Sequence, residues 1–291
     1  MSLEQQDDLD SVLKMAGDER VQGLAAYGQT LLSGGGLKAL SDEHKTLLVG
    51  VLTDIVKQGQ GSNKTRLQIG EFLGILGDPR LCHPSDSSYW SAARVKENTV
   101  QVGKFMVTNS NYRRFVDEGG YEIREHWTDD GWEWLKNTES TWATQVNQGE
   151  FRPFLVPNQP VVGVSWFEAS AFATAHGARL ARFDERTGVV RGLEKRPYPW
   201  GSPFGEGNSN TQEEVLGRPC AVGLYLRDRT PEGVCDLAGN VAEWCSDGVG
   251  GEYWVHPGAW DQPSMAAWAK ARVLENPSVR NAGLGFRLVK D

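Results

Sequence analysis

The chain has 291 residues, a formal net charge of −8 and an ordinary composition, with 39% hydrophobic and 23% charged residues. A chain of this length can bury a substantial core, either in one large domain or in two domains of ordinary size. The acidic balance argues against broad, charge-driven binding of nucleic acid, and no apolar run approaches the 18 residues that membrane insertion requires.

The first residues and the cysteines bear on the compartment and on metal binding. The sequence begins with an acidic stretch that lacks the apolar centre of a signal peptide, so we expect a cytoplasmic location. Four cysteines in so long a chain do not make a disulfide framework, and none has CxxC spacing. We therefore expect buried or incidental thiols. The cysteines are Cys82, Cys220, Cys235 and Cys245.

Residues 1–75 predict a small helical unit. Ser41 is a suitable N-cap for a helix over 41–56, because acidic residues follow in its first turn. A second helix is predicted within 65–80 and should end at Gly77. The apolar stripe of the first helix consists of Leu47, Leu48, Val51, Leu52 and Ile55. We expect this stripe to pack on neighbouring helices or on the rest of the chain; the alternative is a docking face for a protein partner.

All eleven tryptophans lie at position 90 or later, within 76–291, which we predict to be a second domain. Residues 98–120 and 160–177 each predict a short extended run followed by a helix. No further long helix pattern follows, and we expect Asp184 and Glu185 to be surface charges. The last hundred residues predict loops and short strands held together by aromatic side chains.

The segment 258–289 combines residues that suit structural roles with residues of no common chemistry. Its frame consists of glycine, proline, aromatic and arginine residues, which suit turns, anchors and hydrogen-bond clamps. The frame residues are Gly258, Trp260, Arg272, Pro277, Arg280, Gly285, Phe286 and Arg287. The positions between them follow neither the helix nor the strand period. This pattern is typical of a scaffold that accepts many different side chains.

Four phrases of the sequence resemble the formylglycine-generating-enzyme-like (sulfatase-modifying-factor) domain. They are PVVGVSWFEASAFATAHGARLA (160–181), YPWG (198–201), GVCDLAGNVAEWCSD (233–247) and LGFRLV (284–289), in the order of that family. The resemblance implies the α+β class and a C-type-lectin-type fold over 76–291. Such a domain would be loop-rich, with short strands and two helices, and the helical N-terminal unit would precede it.

Residues in these phrases suit structural roles in that fold. Gly239 and Asn240 suit a tight turn with positive φ. Large apolar bodies are needed for a core where regular elements are scarce. The expected core aromatic residues are Trp244, Trp260 and Phe286. Planar guanidinium groups would clamp carbonyl groups or carboxylates such as Glu243 and Asp247. The expected clamps are Arg272, Arg280 and Arg287.

The resemblance does not extend to the metal ligands of the family's enzymes. Those enzymes oxidise a cysteine with copper, held by two cysteines after the element that reads HPGAW (256–260) in this chain. No cysteine follows that element here, and Met265 is the one sulfur-containing residue beyond it. Another branch binds iron through histidines of a helical domain, whereas the five histidines of this chain are scattered. We therefore predict no catalytic residues; oxidation of a thiol substrate is the alternative.

Calcium is the one cofactor that the resemblance implies. Asn208 and Asn210 resemble the asparagine of a calcium site in the family, and oxygen ligands from a loop suit a hard cation. The sequence predicts no other cofactor.

The segment 258–289 resembles the variable segment of diversity-generating-retroelement variable proteins, which share this fold. The resemblance implies a non-catalytic protein that binds a protein or cell-surface ligand through 258–284. The displayed positions would be Asp261, Gln262, Ser264, Met265, Trp268, Lys270, Val273, Leu274, Glu275, Val279, Asn281 and Ala282. A third hypothesis is a recognition module of a bacterial signalling or defence assembly, docked through the N-terminal helices.

Overall fold

Four α-helices form the N-terminal part of the computed structural model, which describes residues 3–145 and 151–291. The helices are α1 (Leu3–Lys14), α2 (Gly17–Ser33), α3 (Asp42–Gln58) and α4 (Asn63–Leu76). The side chain of Ser41 accepts a hydrogen bond from the backbone amide of His44 and so begins α3, as predicted. Ser62 caps α4 in the same way, and α4 ends at Gly77, also as predicted.

The apolar faces of these helices pack on one another and on the following domain. Leu48, Leu52 and Ile55 of the predicted stripe are buried, whereas Leu47 is 46% exposed. Tyr225 of the following domain belongs to the same apolar cluster. The prediction that the stripe packs internally is therefore confirmed, except at its edge. None of the helices that the structure describes is long and apolar enough to cross a membrane.

The rest of the chain is built on two four-stranded sheets. The strands are β1 (Trp90–Val95), β2 (Asn98–Gly103), β3 (Arg179–Leu180), β4 (Ala242–Val249), β5 (Glu252–His256), β6 (Val273–Glu275), β7 (Leu284–Gly285) and β8 (Leu288–Lys290). The first sheet has the order β1-β2-β8-β3 and is antiparallel, so the last strand lies beside the hairpin that opens the domain. The second has the order β6-β5-β4-β7, with β7 parallel to β4 and β6 at an edge.

Five further α-helices lie between the strands of the described chain. They are α5 (Asn109–Asp117), α6 (Asp129–Asn137), α7 (Trp142–Gln145), α8 (Trp166–Ala175) and α9 (Phe183–Arg191). The two predicted helices are α5 and α8, and Ser165 forms a capping box with Glu168 at the start of α8. The other three were not predicted: α7 has only four residues, and α6 and α9, although as long as α5, were not recognised in the sequence. The predicted α+β, loop-rich architecture is confirmed.

The start of α9 corrects one prediction about charged residues. Glu185 accepts a hydrogen bond from the backbone amide of Arg182 at 2.8 Å and pairs with Arg179 at 2.7 Å, so it caps the helix. Asp247 accepts from the backbone amide of Phe183 at 2.7 Å. Asp184, by contrast, is exposed as predicted. Glu185 is therefore part of the fold and not a simple surface charge.

Aromatic side chains form the core where regular elements are short. Trp244 and Phe286 are fully buried, as predicted. Trp260 is half-buried instead and packs on Phe154, with ring centroids 5.9 Å apart. Burying such a ring completely stabilises a fold by about 1.5–3 kcal/mol. The core prediction is therefore confirmed for two residues and corrected for Trp260, which lies at the edge.

The turn at 239–240 uses its two residues for different reasons. Asn240 has a φ of 74°, the positive value predicted for this turn. Gly239 is needed for space, because a Cβ there would lie 2.3 Å from Ser209 Oγ and 2.6 Å from the carbonyl oxygen of Asn210. The turn thereby brings β4 close to the loop that includes Asn210.

Candidate functional site

A buried ion cluster holds the C-terminal end of the frame. Arg287 Nε lies 3.3 Å from Glu243 Oε2, and Arg186 Nη2 lies 3.0 Å from Glu243 Oε1. Arg287 also donates to the carbonyl oxygens of Gly103, Lys104, Cys235 and Asp236. Burial alone would raise the pKa of Glu243, but the two guanidinium groups outweigh it and lower the pKa to about 2. The clamp predicted for Arg287 is confirmed.

The other two arginines of the frame differ from each other. Arg280 Nη2 donates to Ser140 Oγ at 2.9 Å, so it clamps a hydroxyl group. Arg272 is exposed, and its guanidinium group lies 4.3 Å from the ring centroid of Trp254 and 5.3 Å from that of Phe183. Stacking on aromatic faces replaces the predicted clamp on a carbonyl or carboxylate, because β5 and α9 place these two rings beside it. The prediction for Arg272 is therefore corrected.

Trp260 joins the two ends of the loop between β5 and β7. Its indole Nε1 donates to the carbonyl oxygen of Ala282 at 2.9 Å. Its backbone amide donates to the carbonyl oxygen of Asn240 at 3.0 Å. Gly258 has a φ of 115°, and a Cβ there would lie 3.1 Å from Ala267 Cα. This conformation and this close approach both favour glycine. The frame thus holds an irregular stretch of backbone in one shape.

A neighbouring loop (209–216) braces the start of the segment. The backbone amide of Gln212 donates to the carbonyl oxygen of Gln262 at 2.9 Å, and Glu213 Oε1 accepts from the backbone amide of Ser264 at 2.8 Å. Desolvation would raise the pKa of Glu213, but the amide of Ser264 and further hydrogen bonds lower it to about 2. Glu213 therefore stays ionised and holds the segment at neutral pH.

All twelve displayed positions reach the surface at least in part. Six are exposed, namely Asp261, Met265, Trp268, Lys270, Val273 and Asn281. Six are half-buried, namely Gln262, Ser264, Leu274, Glu275, Val279 and Ala282. The structure distributes them over 261–262, the turn at 264–267, the stretch 268–270, the edge strand β6 and 279–282, and it does not gather them in one pocket.

Four of these twelve side chains also serve the fold. Gln262 and Asn281 each accept a hydrogen bond from a backbone amide within the segment, both at 2.9 Å. Val279 packs against the aromatic core, and Ala282 packs beside Trp260 in a smaller cluster. The remaining eight are better suited to display. They are Asp261, Ser264, Met265, Trp268, Lys270, Val273, Leu274 and Glu275.

Residues from other elements flank the segment, and these were not predicted from the sequence. Phe183 and Arg191 of α9, together with Arg94 and Lys96 of the opening hairpin, line the same groove as Trp268. The signal available in the sequence was the run of basic residues through 179–196. That run could not be assigned to a site, because its neighbours lie about 80 positions away along the chain.

The two asparagines predicted to bind calcium are buried and mostly engaged. The side-chain amide of Asn208 faces two donors, and in the orientation that satisfies them its Oδ1 accepts from the backbone amide of Gly205 at 3.1 Å and from Trp200 Nε1 at 3.2 Å. Asn210 Nδ2 donates to the carbonyl oxygen of Arg218 at 3.0 Å, whereas its Oδ1 has no hydrogen-bond partner among the described residues. Calcium takes six to eight oxygen ligands, so one unengaged oxygen does not make a site. Calcium binding stays a prediction of the resemblance.

The donor groups of the family's iron branch are not brought together among the described residues either. Over 3–145 and 151–291, no group of three or more His, Cys, Asp or Glu side chains is placed to hold a metal ion. Burial raises the pKa of the Cys235 thiol to about 11 and also raises the pKa values of Cys220 and Cys245. A thiol that stays protonated is a poor ligand for a metal. The described residues therefore do not form the iron centre, and the three buried thiols are poor ligands for copper.

Comparison with known proteins places this architecture in a family. The sulfatase-modifying factor enzyme 1-like domain matches residues 57–291. Hercynine oxygenase of Mycolicibacterium thermoresistibile is 32% identical over 163 residues, which cover 50% of this chain and 35% of that protein. The formylglycine-generating enzyme of Streptomyces coelicolor is 34% identical over 136 residues, which cover 42% of each. Among solved structures, Treponema denticola variable protein 1 aligns with a TM-score of 0.47 and 16% identity, over 68% of this chain and 90% of that one.

These similarities differ in what they cover. The chain spans less than half the length of each of these two curated relatives. The family match begins inside α3 and does not decide the predicted boundary between 75 and 76. Because it covers most of the sequence, from residue 57 to residue 291, this chain belongs to the sulfatase-modifying factor enzyme 1-like domain family.

Proposed function

We propose that this chain is a non-catalytic member of its family that binds a protein or cell-surface ligand through the segment 258–289. The observation that carries the proposal is the difference between two sets of residues in the segment, the frame and the displayed positions. Most frame residues are engaged in packing, hydrogen bonds or aromatic stacking, whereas the displayed positions are exposed or half-buried. A backbone held in this way can accept changes at exposed positions with little effect on stability.

The composition of the displayed surface suits recognition of a macromolecule. Met265 is 77% exposed, and Trp268 and Val273 are each 44% exposed. Charged side chains, Lys270 and Glu275 among them, lie beside these apolar groups in the sequence. Apolar anchors with a polar rim are typical of protein–protein interfaces, and clustered exposed apolar residues commonly mark one.

The two alternatives have less support. Oxidation of a thiol substrate is suggested by relatives that are named as enzymes. No cysteine follows 256–260, where the resemblance places the copper ligands, and the described residues hold no group of three or more donor side chains for a metal ion. Docking to an assembly through the N-terminal helices needs an uncovered apolar face. Most of that face is buried, which leaves scattered exposed residues such as Met15, Leu47 and Ile75.

A display experiment tests the proposal. The eight positions suited to display would be randomised together, and the full chain would be displayed on yeast and sorted against egg-white lysozyme as a test ligand. We expect most variants to stay folded, and we expect specific binders to emerge. Randomising eight buried core positions, Phe172 and Phe286 among them, is the matched control and should abolish folded display. If the surface library also failed to fold, the proposal would be wrong.

The encoding DNA offers an independent test. A diversified segment requires a near-copy of the DNA for 258–289 that differs mainly at adenines, close to a reverse-transcriptase gene. We expect both to lie beside the gene for this chain. If neither is present, diversification by a retroelement is contradicted, and ligand binding by a fixed surface is what the display experiment then tests.

A further inference from the structure

A groove of about 660 Å³ lies beside the displayed positions, between α9, the opening hairpin and the stretch 268–272. Its apolar lining includes Phe183, Leu193 and Trp268, and Trp268 is itself a displayed position. A cavity of this size is in the range of specific ligand sites. One wall of the groove therefore comes from the fixed fold and the other from the segment proposed to bind a ligand.

The charge of this groove is opposite to that of the whole chain. Six basic side chains line it, namely Arg94, Lys96, Arg191, Lys195, Lys270 and Arg272. Asp184 is the acidic side chain among the described lining residues. The complete sequence has a net charge of −8, so a concentration of positive charge at one place is a local feature of the surface.

Most of these cations have no ion-pair partner within the part of the chain that the structure describes. Asp184 pairs with Lys96 at 2.8 Å and approaches Arg182 at 3.7 Å. Around the other five cations, no carboxylate of the described chain lies within the 4.0 Å of an ion pair. An acidic ligand would supply the missing partners, since carboxylates form strong charge-assisted hydrogen bonds with arginine and lysine.

Three of the six basic residues, Arg272, Lys96 and Lys195, are constrained by ring contacts or by the backbone of a turn. Arg272 is stacked on two aromatic rings, as described above. Lys96 and Lys195 each have a φ of 56°, a left-handed conformation that costs a residue with a Cβ about 1–2 kcal/mol relative to the right-handed one. Glycine or asparagine would fit these two turns at lower cost, yet both turns present a lysine to the groove. Attachment sites that are already ordered reduce the entropy lost on binding.

We propose that this groove binds an acidic peptide segment of the protein ligand. Aspartate or glutamate carboxylates contact the basic rim, and an apolar side chain packs between Phe183 and Trp268. Cations spread from the hairpin to 268–272 suit several carboxylates along a peptide better than one compact anion. The proposal rests on the proposed function, because Trp268 and Lys270 belong to the displayed positions.

Selection from a random twelve-residue peptide library on the full chain tests the inference. We expect the selected peptides to be enriched in Asp and Glu around an apolar residue. Calorimetry should show that the Arg191→Glu/Lys270→Glu variant binds them at least tenfold more weakly, and that affinity falls as salt is raised. The matched control is Lys38→Glu/Lys57→Glu, which makes the same charge change on exposed residues outside the groove and should leave binding unchanged.

Several outcomes would overturn the inference, and they separate it from the proposed function. Peptides without acidic enrichment, equal binding to the groove variant, or no selected peptide at all would each contradict the groove assignment. The selected peptides could bind the groove variant as tightly as the unmodified chain but fail to bind Met265→Ser/Val273→Ser. That result would overturn the groove assignment and would support display by the segment. Peptides that bind both variants as tightly as the unmodified chain would contradict both proposals. Inorganic pyrophosphate could bind the unmodified chain as tightly as the peptides do and fail to bind the groove variant. That result would assign the groove to small anions instead.

Discussion

Glu243 lies between two buried guanidinium groups, and the three residues come from distant parts of the chain. Arg186 belongs to α9, Glu243 to β4, and Arg287 to the turn before β8. Sequence analysis predicted a clamp between Arg287 and a carboxylate such as Glu243. It did not predict Arg186, because the charges around 184–185 were assigned to the surface. Residue types indicated that a pair would form, but the number of partners depends on the fold.

The Glu243→Gln substitution should lower the free energy of unfolding by about 3–5 kcal/mol, because it leaves two buried cations without a counter-charge. Urea unfolding at pH 7 measures this loss. Glu252→Gln, on the exposed start of β5, is the control and should change stability little. A loss for Glu243→Gln no larger than that of the control would contradict the structural role of the ion cluster.

His256 makes the stability of the chain sensitive to acid. Burial, reinforced by the charge of Arg186, lowers the pKa of His256 to about 3. In the unfolded chain the imidazole titrates near 6.5. As the pH falls below 6.5, the unfolded state takes up a proton that the folded state does not. Stability is therefore lost progressively between pH 6.5 and 3.

We expect His256→Gln to remove that contribution. Its free energy of unfolding should fall less steeply than that of the unmodified chain between pH 6 and 4, by up to about 1.4 kcal/mol per pH unit. Urea unfolding at a series of pH values compares the two slopes. Parallel curves would show that His256 is protonated in the folded chain over this range, contrary to the structure.

At the scale of elements, α9 was the least predictable and has the largest effect on the candidate site. Asp247 and Glu185 accept hydrogen bonds from its first amides, and Gly188 lets it approach β1. A Cβ at Gly188 would lie 2.5 Å from Val95 Cγ1. Sequence analysis found α3, α4, α5 and α8, because their caps and apolar periods are local. The position of α9 depends on residues more than 60 positions away.

Two glycine substitutions in helices should have opposite effects. Gly188→Ala should destabilise the chain by about 1–3 kcal/mol, because it overpacks the contact with β1. Gly50→Ala in α3 should stabilise it by about 0.5–1 kcal/mol, because nothing lies within 4 Å of the added Cβ. Urea unfolding measures both. In a Val95→Ala background, Gly188→Ala should cost less; an unchanged cost there would mean that the contact with β1 is not its cause.

At the scale of the whole molecule, the helical unit and the family domain share a core. Leu224 and Tyr225 are buried in the same cluster as α2, α3 and α4. Asn158 Nδ2 donates to the carbonyl oxygen of Gly70 at 2.9 Å across the same contact. The predicted division at 75–76 separates helices from sheets along the chain, but the two parts cover each other's apolar surface.

Residues 77–291 expressed alone should therefore be less stable than the full chain. Exposing Leu224 and Tyr225 costs about 1.5–3 kcal/mol for each side chain. Calorimetric melting of both proteins measures the difference. Adding back the helical unit as a separate chain should recover part of it. Equal melting temperatures for the two proteins would instead support two domains that are stable independently.

The sequence by itself determined the family, the fold class and the helices with local caps; the division of 258–289 into frame and displayed positions stays a prediction from the sequence. These features depend on residues a few positions apart or on contiguous phrases. Only the tertiary structure decided that Arg186 joins Glu243, that Arg272 stacks on aromatic rings, and that basic side chains from α9 and the opening hairpin face Trp268. The physical reason is that burial, ion pairing and grooves arise between residues distant in the chain, where local periodicity carries no information.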